Sequence, residues 1–149
     1  MLQKHDYSIE ATAINNFRVQ SKSQATADAA ELLPSFLVIG PPRTGTSWLH
    51  EVLRSRTLLP GPTKETRFFD THFQRGTVWY RAHFPKPDGR RIMGEICPTY
   101  FSSPEARTNI ARTLPGVRVV CLFRNPVDRV LSLYRVKRAY GMIPWNLEQ

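Results

Sequence analysis

Residues 36–53 read FLVIGPPRTGTSWLHEVL. An apolar run, Phe36, Leu37, Val38 and Ile39, breaks at Gly40 and two prolines, and a Gly/Thr/Ser turn follows. Trp48, Leu49, Val52 and Leu53 then recur at helical spacing. The pattern predicts a buried strand, a tight loop and the start of a helix. In that arrangement the loop N–H groups and the helix N-terminus converge on one point, which suits an anion such as phosphate.

The spacing sharpens this reading. Gly40, four residues, then Gly45, Thr46 and Ser47 match the phosphate-loop pattern G-x-x-x-x-G-K-[ST] except that Thr46 stands where the lysine belongs. The cation of the loop is Arg43, three residues earlier. The phosphate cradle is therefore kept without the lysine that serves nucleoside triphosphate hydrolysis. A second apolar run, residues 117–123 (VRVVCLF), ends in Arg124-Asn125-Pro126. A helix is expected after it, with Val127, Val130, Leu131 and Tyr134 on one face. A nucleoside triphosphatase often carries a magnesium-holding aspartate after such a strand; here the residue is Arg124, suited to gripping an additional phosphate as a fork.

Between these runs the chain alternates helices and strands. Residues 76–84 (GTVWYRAHF) predict a short helix anchored by Val78, Trp79 and Phe84, and residues 92–96 a short strand. Ser103-Pro104-Glu105 opens a helix running to Leu114, with a capping serine and a proline in the first turn. The alternation predicts an α/β fold: a P-loop-like, largely parallel sheet flanked by helices. Ligands in such folds bind beyond the carboxyl ends of the strands. Arg43 and Arg124 both follow strand ends, so they are expected to converge.

The 149 residues suffice for one domain with a real core. Lys and Arg number 21 against 12 Asp and Glu, and the excess is uneven. Residues 1–35 carry three basic and four acidic side chains; residues 36–149 carry 18 and eight. The basic part suggests an anionic ligand or substrate, or nucleic acid, and is equally open to reading as solvated surface arginine. Residues 1–35 read as a polar leader, mobile or loosely docked, with a short helix at 25–33 that Pro34 ends; residues 36–149 are expected to form the phosphate- and nucleotide-binding domain. No run has signal-peptide or membrane-spanning length, so a cytoplasmic protein is the default expectation. Cys97 and Cys121 read as reduced core residues, and with His5, His50, His72 and His83 they lack metal-site spacing.

With these motifs in hand a family resemblance emerges. Pro42-Arg43-Thr44-Gly45-Thr46-Ser47 after a strand resembles the 5′-phosphosulfate loop of sulfotransferases that use 3′-phosphoadenosine 5′-phosphosulfate (PAPS). Arg124-Asn125-Pro126-Val127-Asp128-Arg129-Val130-Leu131-Ser132 is similar to their 3′-phosphate motif. Lys64-Glu65-Thr66-Arg67-Phe68-Phe69-Asp70, with Gly76 and Trp79-Tyr80, and Gly94-Glu95-Ile96-Cys97-Pro98-Thr99-Tyr100-Phe101 resemble the heparan-type glycan sulfotransferases and their bacterial relatives. The resemblance covers residues 36–141 in the family's order.

The resemblance implies that the backbone of Arg43, Thr44, Gly45, Thr46, Ser47 and Trp48, with the Thr46 and Ser47 hydroxyls, holds the 5′-phosphosulfate. It implies that Arg124 and Ser132 hold the 3′-phosphate, that Arg43 stabilises the departing phosphate, and that Glu65 is the general base on an acceptor hydroxyl. Taken alone, Glu65 reads as a surface partner of Lys64 or Arg67. No metal is expected, because arginines and a helix N-terminus neutralise the charge. Arg67 and Cys97 stand where the heparan 3-O-enzymes carry histidine and lysine, so heparan sulfate is not specified; a glycan, a lipid-linked sugar or a small alcohol all fit. The family domain usually runs about a hundred residues further. The chain is accordingly expected to be the N-terminal part of such a domain, ending at Asn146-Leu147-Glu148-Gln149 in or just before another helix. A nucleotide or nucleoside kinase and a basic nucleic-acid-binding module are the alternatives; neither accounts for Glu65 or the Arg124 to Ser132 motif, and no nucleic acid is expected as partner.

Overall fold

The computed structural model describes residues 33–144. The expected leader helix at 25–33 and the further helix near 146–149 lie outside them, apart from Leu33. Three parallel strands form the sheet in the order β2–β1–β3: β1 (Phe36–Ile39), β2 (Gly94–Ile96) and β3 (Arg118–Cys121). Phe36 aligns with Gly94 on one side and Arg118 on the other, so β1 is the central strand. Backbone bonds continue past the strand ends, from Cys97 N–H to the Val38 carbonyl at 3.0 Å and from Leu122 N–H to the Ile39 carbonyl at 2.9 Å. A parallel bridge between Leu58 and Met93 brings the chain after the first helix alongside β2. The α/β expectation holds, with four helices among the described residues: α1 (Thr46–Leu53), α2 (Gly76–Arg81), α3 (Pro104–Thr113) and α4 (Pro126–Ala139).

Strand alternation sends successive side chains to opposite faces. Phe36, Val38 and Ile96 pack with Leu59, and Leu49 and Leu53 of α1 cover them, which secures the helix over one face. Each fully buried aliphatic or aromatic side chain of this kind contributes about 1.5–3 kcal/mol. Leu37 and its register partner Glu95 turn the other way. The second core is aromatic: Phe68 stacks on Tyr80 at 4.4 Å between centroids, and Phe69 meets Tyr100 edge-on at 5.5 Å. Phe68 and Phe69 belong to a π-helical turn (Phe68–His72), a form that is frequent at functional sites, and Asn109 of α3 holds it by donating to the Phe69 carbonyl at 3.0 Å.

Some local expectations need correction. The anchor of α2 is Tyr80, fully buried, whereas Val78 is 85% exposed; the helix is only six residues long and its register differs from the expected one. β3 forms as a strand but is exposed along its length, unlike the equally outer β2, and α4 buries no residue among the described ones. Cys97 is a buried thiol, but Cys121 on β3 is exposed. The α3 start is as expected, with Ser103 Oγ accepting from Ala106 N–H at 3.0 Å. No helix among the described residues is long and apolar enough to cross a membrane.

Candidate active site

The loop between β1 and α1 is shaped by backbone that few side chains tolerate. Gly40 packs so closely on the β3 side that a Cβ there would sit 2.4 Å from the Leu122 carbonyl oxygen. Gly45, at φ 97°, is the N-cap of α1, and Arg43 adopts a left-handed φ of 75°. A left-handed non-glycine residue costs about 1–2 kcal/mol, so the arginine is held there against its preference. Thr44 closes the turn by donating from Oγ1 to the Pro41 carbonyl at 2.9 Å.

Of the four α-helices among the described residues, α3 and α4 have side-chain caps, and α1 and the short α2 have none. Ser103 caps α3, and Asn125 Oδ1 caps α4 by accepting from Val127 N–H at 2.9 Å. No side chain caps α1. The N–H groups of a first helical turn have no partner within the helix, and together with the dipole they favour an anion. In α1 that end opens into a cavity of about 150 Å³ lined by Arg43, Gly45, Thr46, Ser47, Arg124 and Ser132. Among the described residues no carboxylate lines it. The volume is below the ~300–1,000 Å³ of sites that enclose a whole ligand, and suits the phosphate end of one.

The convergence expected of Arg43 and Arg124 is therefore met, although 81 positions separate them. α4 carries Ser132 to the same cavity, where Arg43 Nε donates to Ser132 Oγ at 3.1 Å. Five of the side-chain positions singled out in the sequence, Arg43, Thr46, Ser47, Arg124 and Ser132, line one cavity with Gly45 between them. Thr44 and Trp48 do not: the Thr44 hydroxyl is turned to Pro41, and Trp48 is 70% exposed. Their expected contribution was through the backbone. Glu65 also lies outside the lining residues; it is half-buried and paired with Lys64 Nζ at 2.8 Å. Arg67, at a left-handed φ of 52°, faces Asp70 across 3.7 Å. Among the described residues no three His, Cys, Asp or Glu side chains are grouped to hold a metal ion.

One polar centre escaped the sequence reading. Glu95, in β2, is fully buried. Its Oε1 accepts from Thr66 N–H at 2.8 Å and from Thr66 Oγ1 at 2.6 Å, while Oε2 accepts from Tyr80 Oη at 2.7 Å and Tyr100 Oη at 3.1 Å. Burial raises the Glu95 carboxyl above its ordinary value, opposed by the Thr66 and tyrosine hydrogen bonds. Burial and the nearby Glu95 likewise push up the Cys97 thiol, to about 12. The available signal was a glutamate inside an otherwise apolar strand, which demands buried partners.

Comparison with known proteins agrees with this geometry. A family model described as "Sulfotransferase domain" matches residues 33–147. The human bifunctional heparan sulfate N-deacetylase/N-sulfotransferase 2 is 33% identical over 118 residues, covering 73% of this chain and 13% of that protein. Human heparan sulfate glucosamine 3-O-sulfotransferase 6 is 33% identical over 110 residues, covering 74% and 32%. The membrane-associated sulfotransferase kil1 of Dictyostelium discoideum is 31% identical over 106 residues, covering 68% and 22%. The chain thus spans between an eighth and a third of the length of these relatives. In fold, it superposes on a crystal structure of a sulfotransferase from Alicyclobacillus acidocaldarius with a TM-score of 0.67 at 24% identity, covering 76% of this chain and 53% of that one. The family match takes in both strand ends that build the cavity, and this chain belongs to the sulfotransferase domain family.

Proposed function

We propose that this protein transfers a sulfuryl group from PAPS to an acceptor hydroxyl, with a glycan as the favoured acceptor class. The observation that carries the reading is the shared cavity: two guanidinium groups, two hydroxyls of the loop, a third from Ser132 and an uncapped helix N-terminus, with no carboxylate among the lining residues. This donor set fits a nucleotide with phosphate at both ends of its ribose. The amides of residues 43–48 and the Thr46 and Ser47 hydroxyls bind the 5′-phosphosulfate; Arg124 and Ser132 grip the 3′-phosphate. The glycan preference rests on relatives whose names specify heparan sulfate.

PAPS supplies an activated sulfuryl group whose charge is already in place. The acceptor hydroxyl gives its proton to the Glu65 carboxylate as its oxygen bonds to sulfur, and the bond from sulfur to the phosphate oxygen breaks. Arg43 and the α1 terminus meet the negative charge left on the phosphate. The Lys64 ammonium at 2.8 Å restrains the Glu65 side chain, which stays open enough to reach an acceptor. What supports Glu65 in this role is its place in the Lys64–Asp70 motif.

The test uses the full-length protein. Calorimetry should show adenosine 3′,5′-bisphosphate binding far more tightly than ADP, without a magnesium requirement, since ADP offers nothing to Arg124 and Ser132. Glu65→Gln should lower sulfuryl transfer roughly 10²–10⁴-fold, the usual contribution of a general base, while leaving nucleotide affinity unchanged. Equal affinity for the two nucleotides would sink the donor assignment; near-normal turnover by the glutamine variant would remove Glu65 as base.

A further inference from the structure

The Glu95 centre lies on the sheet face opposite α1, away from the phosphate cavity, and has no part in the mechanism above. Two of its four hydrogen bonds go to the segment that carries Glu65, and the other two to Tyr80 and Tyr100. One oxygen takes both the N–H and the hydroxyl of Thr66, the residue after Glu65. Thr66 Oγ1 in turn accepts from Phe68 N–H at 3.2 Å, and Tyr100 Oη accepts from Phe69 N–H at 3.3 Å. Between these anchors stands Arg67 in its left-handed conformation. Backbone of that kind persists where its surroundings over-determine it, and strain of this sort clusters at functional sites. Here the surroundings are a carboxyl group and two tyrosines, one of them, Tyr80, drawn from α2.

We propose that Glu95 is a positioning residue for the transfer reaction: by clamping Thr66 through Oε1 it fixes the backbone on which Glu65 approaches the acceptor. The proposal rests on Glu65 being the base. The clamp is selective in its chemistry, because it needs an acceptor atom at Oε1 and no charge. A misplacement of about 1 Å at a reacting group costs up to roughly 100-fold in rate, which sets the size of the expected effect.

Five variants of the full-length protein separate the possibilities. Turnover is read as release of adenosine 3′,5′-bisphosphate from PAPS in the presence of desulfated heparan chains, which counts transfer to glycan and to water alike. Glu95→Gln keeps a carbonyl oxygen for Thr66 and can donate its amide to the two tyrosines; it should retain turnover within about threefold. Glu95→Leu and Thr66→Val, the second keeping the side-chain shape and the Thr66 N–H bond to Glu95 while removing the hydroxyl, should each lower kcat roughly 10–100-fold. Binding of adenosine 3′,5′-bisphosphate should stay within about twofold in both. Adding Glu65→Gln to Thr66→Val should slow the enzyme no further than Glu65→Gln alone, because both act on one step. Unchanged kcat in Thr66→Val and Glu95→Leu, a parallel loss of nucleotide binding, or additive effects in the double variant would overturn the proposal. The amide exchange rate at residue 66 supplies an independent reading: it should rise in Glu95→Leu and not in Glu95→Gln. Normal turnover by Glu65→Gln alone would fail the base assignment, and the exchange rates would still report whether Glu95 holds the segment.

Discussion

Arg43 Nε lies 3.1 Å from Ser132 Oγ, a contact between the first phosphate loop and α4 across 89 positions of sequence. One side chain thereby ties together the two walls of the cavity. The guanidinium reaches the wall read as the 3′-phosphate side as well as the loop to which it belongs.

This tie predicts coupling between the two subsites. Ser132→Ala and Arg124→Ala should each weaken adenosine 3′,5′-bisphosphate binding by about 1.5–3 kcal/mol, the worth of a hydrogen bond in which one partner is charged. Arg43→Ala combined with Ser132→Ala should depart from additivity by at least about 0.5 kcal/mol in calorimetric titrations, as residues sharing one network do. Strict additivity would show that the two walls act independently.

Gly40 is the tightest point of the fold near the site. A methyl group there would meet the Leu122 carbonyl oxygen at 2.4 Å, and backbone cannot swing aside as a side chain does. Gly40→Ala should therefore cost at least about 1–3 kcal/mol by overpacking. Because the displaced strand is the one that leads to Arg124, nucleotide affinity should fall with stability. Urea unfolding and calorimetry on the same variant check both halves.

The buried carboxyl of Glu95 makes a pH prediction with a definite sign. Its folded-state value is raised above the ordinary 4.5, chiefly by burial. Between those two values the folded chain binds more protons at this site than the unfolded one. Its contribution to stability is thus full below pH 4.5 and is lost as pH rises through the folded value, with a slope of at most about 1.4 kcal/mol per pH unit. Glu95→Gln cannot titrate, so the difference between its stability–pH curve and that of the parent should show this fall. A flat difference across the range would mean that Glu95 ionises in the folded chain as it does in the unfolded one.

The two cysteines should differ sharply in reactivity. Cys97 is buried and its thiol is pushed up to about 12, so almost no thiolate is present near neutrality. Cys121 is exposed. Iodoacetamide at pH 8 should label Cys121 in the native protein, with Cys97 reacting only on unfolding. Mass spectrometry of the labelled peptides settles it.

How much of this was legible beforehand depends on what kind of information each element carries. β1 and the loop after it are local: an apolar run, two glycines and a helical stripe lie within 18 residues, and Arg43, Thr46 and Ser47 follow. Arg124 was legible as a strand-end residue, because parallel topology sends strand ends to one edge. Tyr80 and Val78 were not separable, since both fit the periodicity of a six-residue helix and only the aromatic stack on Phe68 decides between them. The exposure of Cys121 and Val119 depends on what packs over the faces of β3, which an apolar run alone does not encode. Glu95 passed unremarked as one letter of a strand motif, because its partners come from residues 66, 80 and 100 and only the tertiary fold brings them together.

The strand order has one more consequence, for the time course of folding. β1 and β3 are neighbours in space but separated by some eighty residues, with β2 on the other side. The cavity does not exist until that long loop has closed, and closure entropy must be met before distant contacts reward it. A phosphate-bearing ligand therefore has nothing to bind on the half-assembled chain and binds only the completed one. Mass action then makes it a selective stabiliser of the final docking, worth about 2.7 kcal/mol at a hundred times its dissociation constant. On the function proposed above, the donor nucleotide would act as a folding reagent as well as a reactant.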